Sequence, residues 1–330
     1  MEFVKIAGTE INSSRIGLGT WAMGGWLWGG SDRKECVRTI YKAFDNEVNL
    51  IDTAPIYGFG LSEEIVGEAV SQSGMRDELV IATKVGLEWE RGGIFRNSLP
   101  ERIRKEVDDS LRRLRTDRID LYQIHWPDPL TPVEETAQAM AELIESGKIR
   151  AVGVSNYSAE QMEIFRSVCP LNSSQPPYNL FERGIEEDVL PWCEEQGVTM
   201  LLYGALCRGL LGGKLKTDSE FPGDDIRNFD PKFRKPVYDN YLGAVEKLGE
   251  LASERFGKNV LELSVRWVLD KCENDITLWG ARRPGQLDDL AGTAGWAIDD
   301  DSMNEIDAIL DTFVPNPIGP EFMAPGPRPF

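Results

Sequence analysis

Short apolar runs recur along the chain, each followed by a longer stretch in which apolar residues return every three or four positions. "RIGLGT" (15–20) precedes "DRKECVRTIYKAFDN", where Cys36, Val37, Ile40, Tyr41 and Phe44 share one helical face. "NLIDTA" (49–54) precedes "SEEIVGEAV", and "ELVIATKVG" (78–86) precedes "PERIRKEVDDSLRRL". "IDLYQIH" (119–125) leads to "PVEETAQAMAELIESG", "AVGVSN" (151–156) to "SAEQMEIFRSV", and "SSQPPYN" (173–179) to "IEEDVLPWCEEQG". "TMLLYGAL" (199–206) opens a long insertion that ends in "YDNYLGAVEKLGELASERF". After a further helix, "VLELSVRWVLDK", the eighth run is "DITLWGA" (275–281), before "PGQLDDLAGTA". The runs are continuous rather than alternating, as expected of parallel strands buried on both faces. Ser62 and Ser158 read as helix caps, and Pro100 and Pro132 suit first helical turns.

Eight strand–helix units predict an α/β fold, a single (β/α)8 TIM barrel over residues 1–330. A doubly wound sheet is the competing layout, but "YGFGLSEEIVG" (57–67) lacks the G-x-G-x-x-G spacing of its first turn. Three pieces stand outside the repeat. Residues 1–15, with Gly8 at a turn, predict an N-terminal hairpin. Residues 210–236 are too long for an ordinary connection and predict a lid-like loop. The Pro-rich tail, 313–330, is expected to wrap the surface or stay mobile.

Charge and cysteine usage narrow the function. The 36 basic and 55 acidic residues leave a net charge of −19, which repels phosphate backbones and anionic membranes. A small-ligand pocket can still be locally cationic. Five cysteines without a C-x-x-C pair read as reduced thiols in a cytoplasmic protein, and a single histidine makes a metal site unexpected. "MEFVKIAGTE" has neither the basic nor the apolar region of a signal peptide, and no apolar run approaches the roughly 20 residues of a membrane span. A monomer is the expectation.

In a barrel of this kind, reacting groups come from the C-terminal strand ends and the loops after them. The second run ends in Asp52, with Tyr57 five residues on; the third ends in Lys84 and the fourth in His125. Each alone also has a structural reading: an ion pair, a loop anchor, a core histidine. Converging on one mouth, they make a proton donor. A free phenol titrates near ~10 and is a poor acid at neutral pH. An adjacent ammonium is expected to lower that pKa, with Asp52 keeping Lys84 charged and His125 orienting a carbonyl oxygen toward Tyr57.

Five collinear segments carry a family resemblance: "NLIDTAPIYGFGLSEEIVGEAV", "ELVIATKVG", "RIDLYQIHWPDP", "GKIRAVGVSNYS" and "SQPPYNLFER". From about Arg15 to Thr312 the chain resembles the aldo-keto reductase superfamily, in the branch with bacterial general-stress reductases and potassium-channel β-subunits. The resemblance implies NADPH, preferred over NADH, and a tetrad at Asp52, Tyr57, Lys84 and His125. It implies a nicotinamide bed from Ser155, Asn156, Gln175 and Tyr203, with Thr20 and Trp21 at the first strand end. The pyrophosphate segment would be Gly204, Ala205, Leu206, Cys207, Arg208 and Gly209, with Lys214 beyond. The adenosine end would be Gly280, Arg282, Gln286 and Asp289, with Arg282 meeting a 2′-phosphate. Two departures stand out: Trp279 where many relatives have Pro, and Leu290 where they have Asn, which would remove an adenine contact. Cys207 reads either as redox-sensitive or as a small packing residue.

The indoles of Trp21, Trp28 and Trp126, with Trp26, suggest walls around a small aldehyde, ketone or polyol-derived substrate, or a plug in the barrel top. The function expected is reversible carbonyl reduction with Tyr57 as general acid. The alternatives are a regulatory subunit that holds NADPH as a redox sensor, and polyol oxidation as the working direction.

Overall fold

A computed structural model describes residues 1–90, 93–221 and 223–329. The first two strands, β1 (Phe3–Lys5) and β2 (Asn12–Ser14), pair antiparallel. Eight parallel strands then close a barrel: β3 (Ile16–Gly19), β4 (Leu50–Asp52), β5 (Val80–Val85), β8 (Ile119–Ile124), β9 (Ile149–Ser155), β10 (Ser173–Gln175), β11 (Thr199–Leu202) and β12 (Ile276–Gly280). Each apolar run of the sequence supplies one of these strands, in order.

The helices after them include α1 (Arg33–Asp45), α2 (Leu61–Ser73), α3 (Pro100–Leu114), α4 (Val133–Glu145), α5 (Ala159–Arg166) and α6 (Val189–Gln196). They continue with α7 (Val237–Leu251), α8 (Val260–Lys271) and α9 (Asp300–Phe313). Their apolar faces pack on the outside of the barrel around Ile40, Val107, Met140, Phe165, Leu248 and Trp267. Inside, Leu50, Ala82, Leu121, Ala151 and Leu201 fill the barrel, and Ile6 and Ile11 of the hairpin cluster with them. The hairpin thus stoppers the N-terminal end and leaves the C-terminal end as the open mouth.

Local chemistry explains most boundaries. Ser158 and Gln161 form a reciprocal cap on α5, as the sequence suggests. Ser62 does not cap α2. That helix starts after Gly60 (φ +100°), and Ser62 lies within it, donating to Thr20 and sharing a hydrogen bond with Thr53. Pro100 opens α3 at its first turn, where no amide donor is needed, whereas Pro132 sits one residue ahead of α4.

Two further structures lie over the mouth. A hairpin of β6 (Leu87–Glu90) and β7 (Gly93–Arg96), absent from the sequence expectation, follows β5. The tail is anchored: β13 (Gly326–Pro327) pairs with β7, and Arg328 binds the carboxylate of Asp128 and donates to Thr131 Oγ1 (2.9 Å).

Candidate active site

Strand ends and two glycines set the geometry of the mouth. Asp52 closes β4, Lys84 is the penultimate residue of β5, and His125 directly follows β8. Tyr57 lies on the loop after β4, which presses against the turn Trp21–Gly24. A Cβ on Gly24 would meet Tyr57 C at 2.4 Å, and one on Gly58 (φ +66°) would meet Gly24 O at 2.2 Å. Only glycine permits that approach, and it fixes the base from which Tyr57 projects.

The four groups meet. Lys84 Nζ lies 2.6 Å from Asp52 Oδ1, 3.0 Å from the Thr53 carbonyl oxygen and 3.1 Å from the Tyr57 hydroxyl. The Tyr57 and His125 rings stand edge to face, 5.7 Å apart. Burial lowers the pKa of the Lys84 ammonium, opposed by the charge and hydrogen bond of Asp52. Burial, then the nearby Lys84 charge, hold His125 well below its usual range, so the imidazole is neutral at pH 7.

Tyr57 departs from the sequence expectation. Burial, reinforced by the charge of Asp52, pushes the phenol well above its ordinary pKa. Desolvation penalises the phenolate, and the Asp52 anion offsets the Lys84 cation. The phenol therefore keeps its proton at neutral pH. Lys84 nevertheless remains within hydrogen-bond reach of that oxygen (3.1 Å).

Around this core, most of the residues expected to hold a nucleotide lie at the C-terminal strand ends and on the loops that follow them. Ser155 Oγ donates to the main-chain oxygen of Gln175 (2.7 Å), and Asn156 (φ +61°) donates to the His125 carbonyl oxygen and to Ser155 Oγ. Tyr203 donates to Asn156 Oδ1 (2.9 Å), which fixes its ring after β11. Gln175 Nε2 donates to Asp52 Oδ2 (2.9 Å) and to Gln123 Oε1 (3.2 Å). Thr20 is fully buried and turned inward, its hydroxyl on the Asp52 carbonyl oxygen (2.9 Å).

Beyond Gly204, Ala205 and Leu206 the backbone turns left-handed at Cys207 (φ +44°), Arg208 (φ +55°) and Gly209 (φ +88°). The Cys207 thiol is buried, and burial chiefly pushes it up to about 12, so it keeps its proton at neutral pH. The Arg208 side chain turns away from the groove into a buried cluster. It binds Asp230 Oδ2 (2.5 Å) and the carboxylate of Glu182, which Lys232 also meets at 2.8 Å. Lys214 is exposed.

At the far end, Gly280 ends β12, and Gln286 Oε1 accepts from the amides of Arg282 and Arg283. Asp289 accepts from Asn259 (3.2 Å). The Arg282 guanidinium donates to the main-chain oxygen of Trp28 (2.6 Å) and to that of Gly30. Its pKa is lowered by burial, then by the neighbouring charges of Arg283 and Arg227, with Asp225 opposing the latter pair. Leu290 is buried in the core and faces no groove, while Trp279 is buried with its indole N–H on the Gln286 oxygen (3.1 Å).

The indoles line the mouth. Trp21 stacks over Tyr57 (6.1 Å, 27°) and Trp28 stands edge-on to Trp21 (5.4 Å). Trp126 clusters with Trp26, Trp89, Ile94 and Tyr57. Trp89 and Ile94 belong to the hairpin that the apolar pattern does not reveal. Within the loop expected to be lid-like (210–236), residues 223–236 reach the first loop: Asp224 accepts from the amides of Leu27 (2.8 Å) and Gly29 (3.2 Å), and Arg227 lies 6.0 Å from the Trp28 ring. Gln123 was also unforeseen; its one sequence signal is a polar residue inside the apolar run "LYQIH".

Comparisons with known proteins show the family. The profile described as the aldo/keto reductase family matches residues 15–311. The chain is 56% identical over 328 residues to aldo-keto reductase YhdN of Bacillus subtilis (strain 168), covering 99% of each. It is 36% identical to the NADH-specific methylglyoxal reductase of Escherichia coli (strain K12), over 87% of this chain and 91% of that one. Among solved structures, glycerol dehydrogenase AKR11B4 from Gluconobacter oxydans superposes with a TM-score of 0.88 at 53% identity, covering 98% of this chain and 99% of that one. The chain belongs to the aldo/keto reductase family, whose members are oxidoreductases acting on carbonyl and alcohol groups.

Proposed function

We propose that the protein reversibly reduces small aldehydes and ketones, or oxidises the matching polyols, with NADP(H) preferred over NAD(H) and Tyr57 as proton donor. The observation that carries this reading is Lys84 Nζ bridging Asp52 (2.6 Å) and the Tyr57 hydroxyl (3.1 Å) beside a neutral His125.

Three features support a nicotinamide dinucleotide. Gln175 Oε1 makes no hydrogen bond among the described residues, although the rest of that amide is fully engaged. The left-handed turn at Cys207, Arg208 and Gly209, closed by the Cys207 amide on the Gly204 oxygen (2.7 Å) and the Gly209 amide on the Leu206 oxygen (2.8 Å), presents main chain where the resemblance puts the pyrophosphate. At the adenosine end, Arg282 and Arg283 stand together, beside an Arg227 already paired with Asp225 (2.6 Å), and make a small cationic patch in a chain of net charge −19. That patch favours a 2′-phosphate. Arg208 contributes its backbone, not its guanidinium.

When bound, a reduced nicotinamide supplies the hydride. The residues of this chain do the rest. His125, neutral, donates to the carbonyl oxygen and orients it. Tyr57 gives its proton to that oxygen, and Lys84 stabilises the phenolate left behind while Asp52 holds Lys84 in place. Trp21, Trp28 and Trp126 exclude water from the reacting atoms.

A relative named for NADH specificity and a neighbour named for glycerol frame the test. A panel of aldehydes, ketones and polyols is assayed by nicotinamide absorbance with NADPH and with NADH. Turnover of at least one small carbonyl, faster at low concentrations of NADPH than of NADH, is expected; no turnover of any member would refute the proposal.

A further inference from the structure

We propose that Gln123 is a positioning residue that fixes the amide orientation of Gln175, and so decides which group of a nicotinamide carboxamide that glutamine receives. The inference rests on the nicotinamide reading above.

Gln123 lies mid-strand in β8, two residues before His125, and is fully buried. A buried amide is costly unless its polar atoms are engaged. Asp52 Oδ2 accepts from Gln175 Nε2 at 2.9 Å and from Gln123 Nε2 at 3.3 Å. An ionised carboxylate can only accept, so both amides must turn their NH2 groups to it. With its NH2 on Asp52, Gln123 presents its carbonyl to Gln175, which donates a second hydrogen at 3.2 Å. Both protons of Gln175 Nε2 are thereby spent.

Inverting the Gln175 amide would bring its oxygen against two acceptors, Asp52 Oδ2 and Gln123 Oε1. Without Gln123 only one of these would oppose the flip. The triangle leaves Gln175 Oε1 as an acceptor toward the groove, beside Ser155 and Asn156. It can receive the NH2 of a carboxamide and cannot receive its carbonyl. Gln123 thus acts on the cofactor through Gln175, without touching it.

The test uses the full-length protein and three probes: NADP+, its 3-acetylpyridine analogue and 2′,5′-ADP. The acetyl group has a carbonyl but no NH2, so it gains nothing from Gln175 Oε1; 2′,5′-ADP reports the adenosine end alone. In Gln123→Met, which keeps the side-chain length, the Kd for NADP+ is expected to rise about tenfold. The other two Kd values should stay within twofold. Gln123→Glu supplies a second readout and covers poor folding of the first variant. Its protonated acid keeps both contacts, donating O–H to Asp52 and accepting from Gln175. Its ionised form loses only the donation to Asp52 and still accepts from Gln175, so the wild-type preference for NADP+ over the analogue is expected to persist in this variant at every pH at which it is folded. Equal weakening of NADP+ and analogue in Gln123→Met, or loss of the preference for NADP+ over the analogue in Gln123→Glu, would overturn the role of Gln123. A wild-type protein that binds neither dinucleotide would instead refute the cofactor reading itself.

Discussion

Lys84 stands between Asp52 and Tyr57, 2.6 Å from the carboxylate and 3.1 Å from the hydroxyl, so one ammonium is anchored by the first and aimed at the second. Asp52 is itself held from the other side by Gln175 and Gln123. With Lys84 Nζ also held by the Thr53 carbonyl oxygen (3.0 Å), the proposed proton transfer from Tyr57 would require little movement of the ammonium.

Removing the phenol oxygen tests this directly. Tyr57→Phe should leave NADPH affinity within a few-fold, since that oxygen contacts only Lys84 among the described residues. Turnover of a reactive aldehyde should fall by roughly 10²–10⁴-fold, the range for loss of a positioned acid. Stopped-flow or steady-state absorbance measures both. Wild-type-like turnover would remove Tyr57 from the mechanism.

The pH profile follows from the two ring groups. His125 is held well below its usual pKa by burial and Lys84, and Tyr57 well above its own by burial and Asp52. Neither titrates between pH 6 and 8. Reductive kcat should therefore be flat across that window, and a fall centred near the ordinary histidine value, about 6.5, would contradict the buried neutral imidazole.

Arg282 joins two tasks, holding the Trp28–Gly30 turn and standing in the cationic patch. Arg282→Ala is expected to weaken NADPH by about tenfold or more while NADH changes little, because a guanidinium–phosphate contact exists only for the former. Equal losses in titrations with the two nucleotides would assign Arg282 to the turn alone.

Much of this was legible in advance because strand and chemistry coincide. Asp52, Lys84 and His125 each end an apolar run, and a strand's end in a parallel barrel is also a place on its mouth. The hairpin Leu87–Arg96 was not legible, since it has few residues and its partner strand, Gly326–Pro327, lies more than 200 positions away. The inward turn of Arg208 was hidden for a similar reason. Its partners Glu182 and Asp230, and the Lys232 that shares Glu182 with it, come from other loops, and no local pattern announces a buried ion cluster. Nor did the sequence disclose that burial and Asp52 outweigh Lys84 at Tyr57. That balance depends on solvent access, which residue spacing does not encode.

Stability should carry its own pH signature, from the closed end of the barrel. Asp275 is buried, accepts from the Met200 amide (2.6 Å), and has its pKa raised to about 7, chiefly by burial. The folded state thus keeps a proton that the unfolded chain releases near pH 4. Between about pH 4 and 7 folding stability should decline as pH rises, by up to about 4 kcal/mol for a shift of three units. Asp275→Asn keeps an acceptor for Met200 and removes the charge. Denaturant unfolding should show that variant gaining stability over wild type at pH 7.5 and not at pH 4.5; equal differences at both would exclude the carboxylate as the cause.

Asp224 ties the lid to the opposite rim through the backbone amides of Leu27 and Gly29, with no side chain of that rim involved. Both positions are left-handed, Leu27 at φ +62° and Gly29 at φ +68°, so the bridge is kept by main-chain conformation rather than by side-chain contacts. A descendant could exchange its taste in substrates by altering the rim, and inherit the same arch above the nucleotide groove.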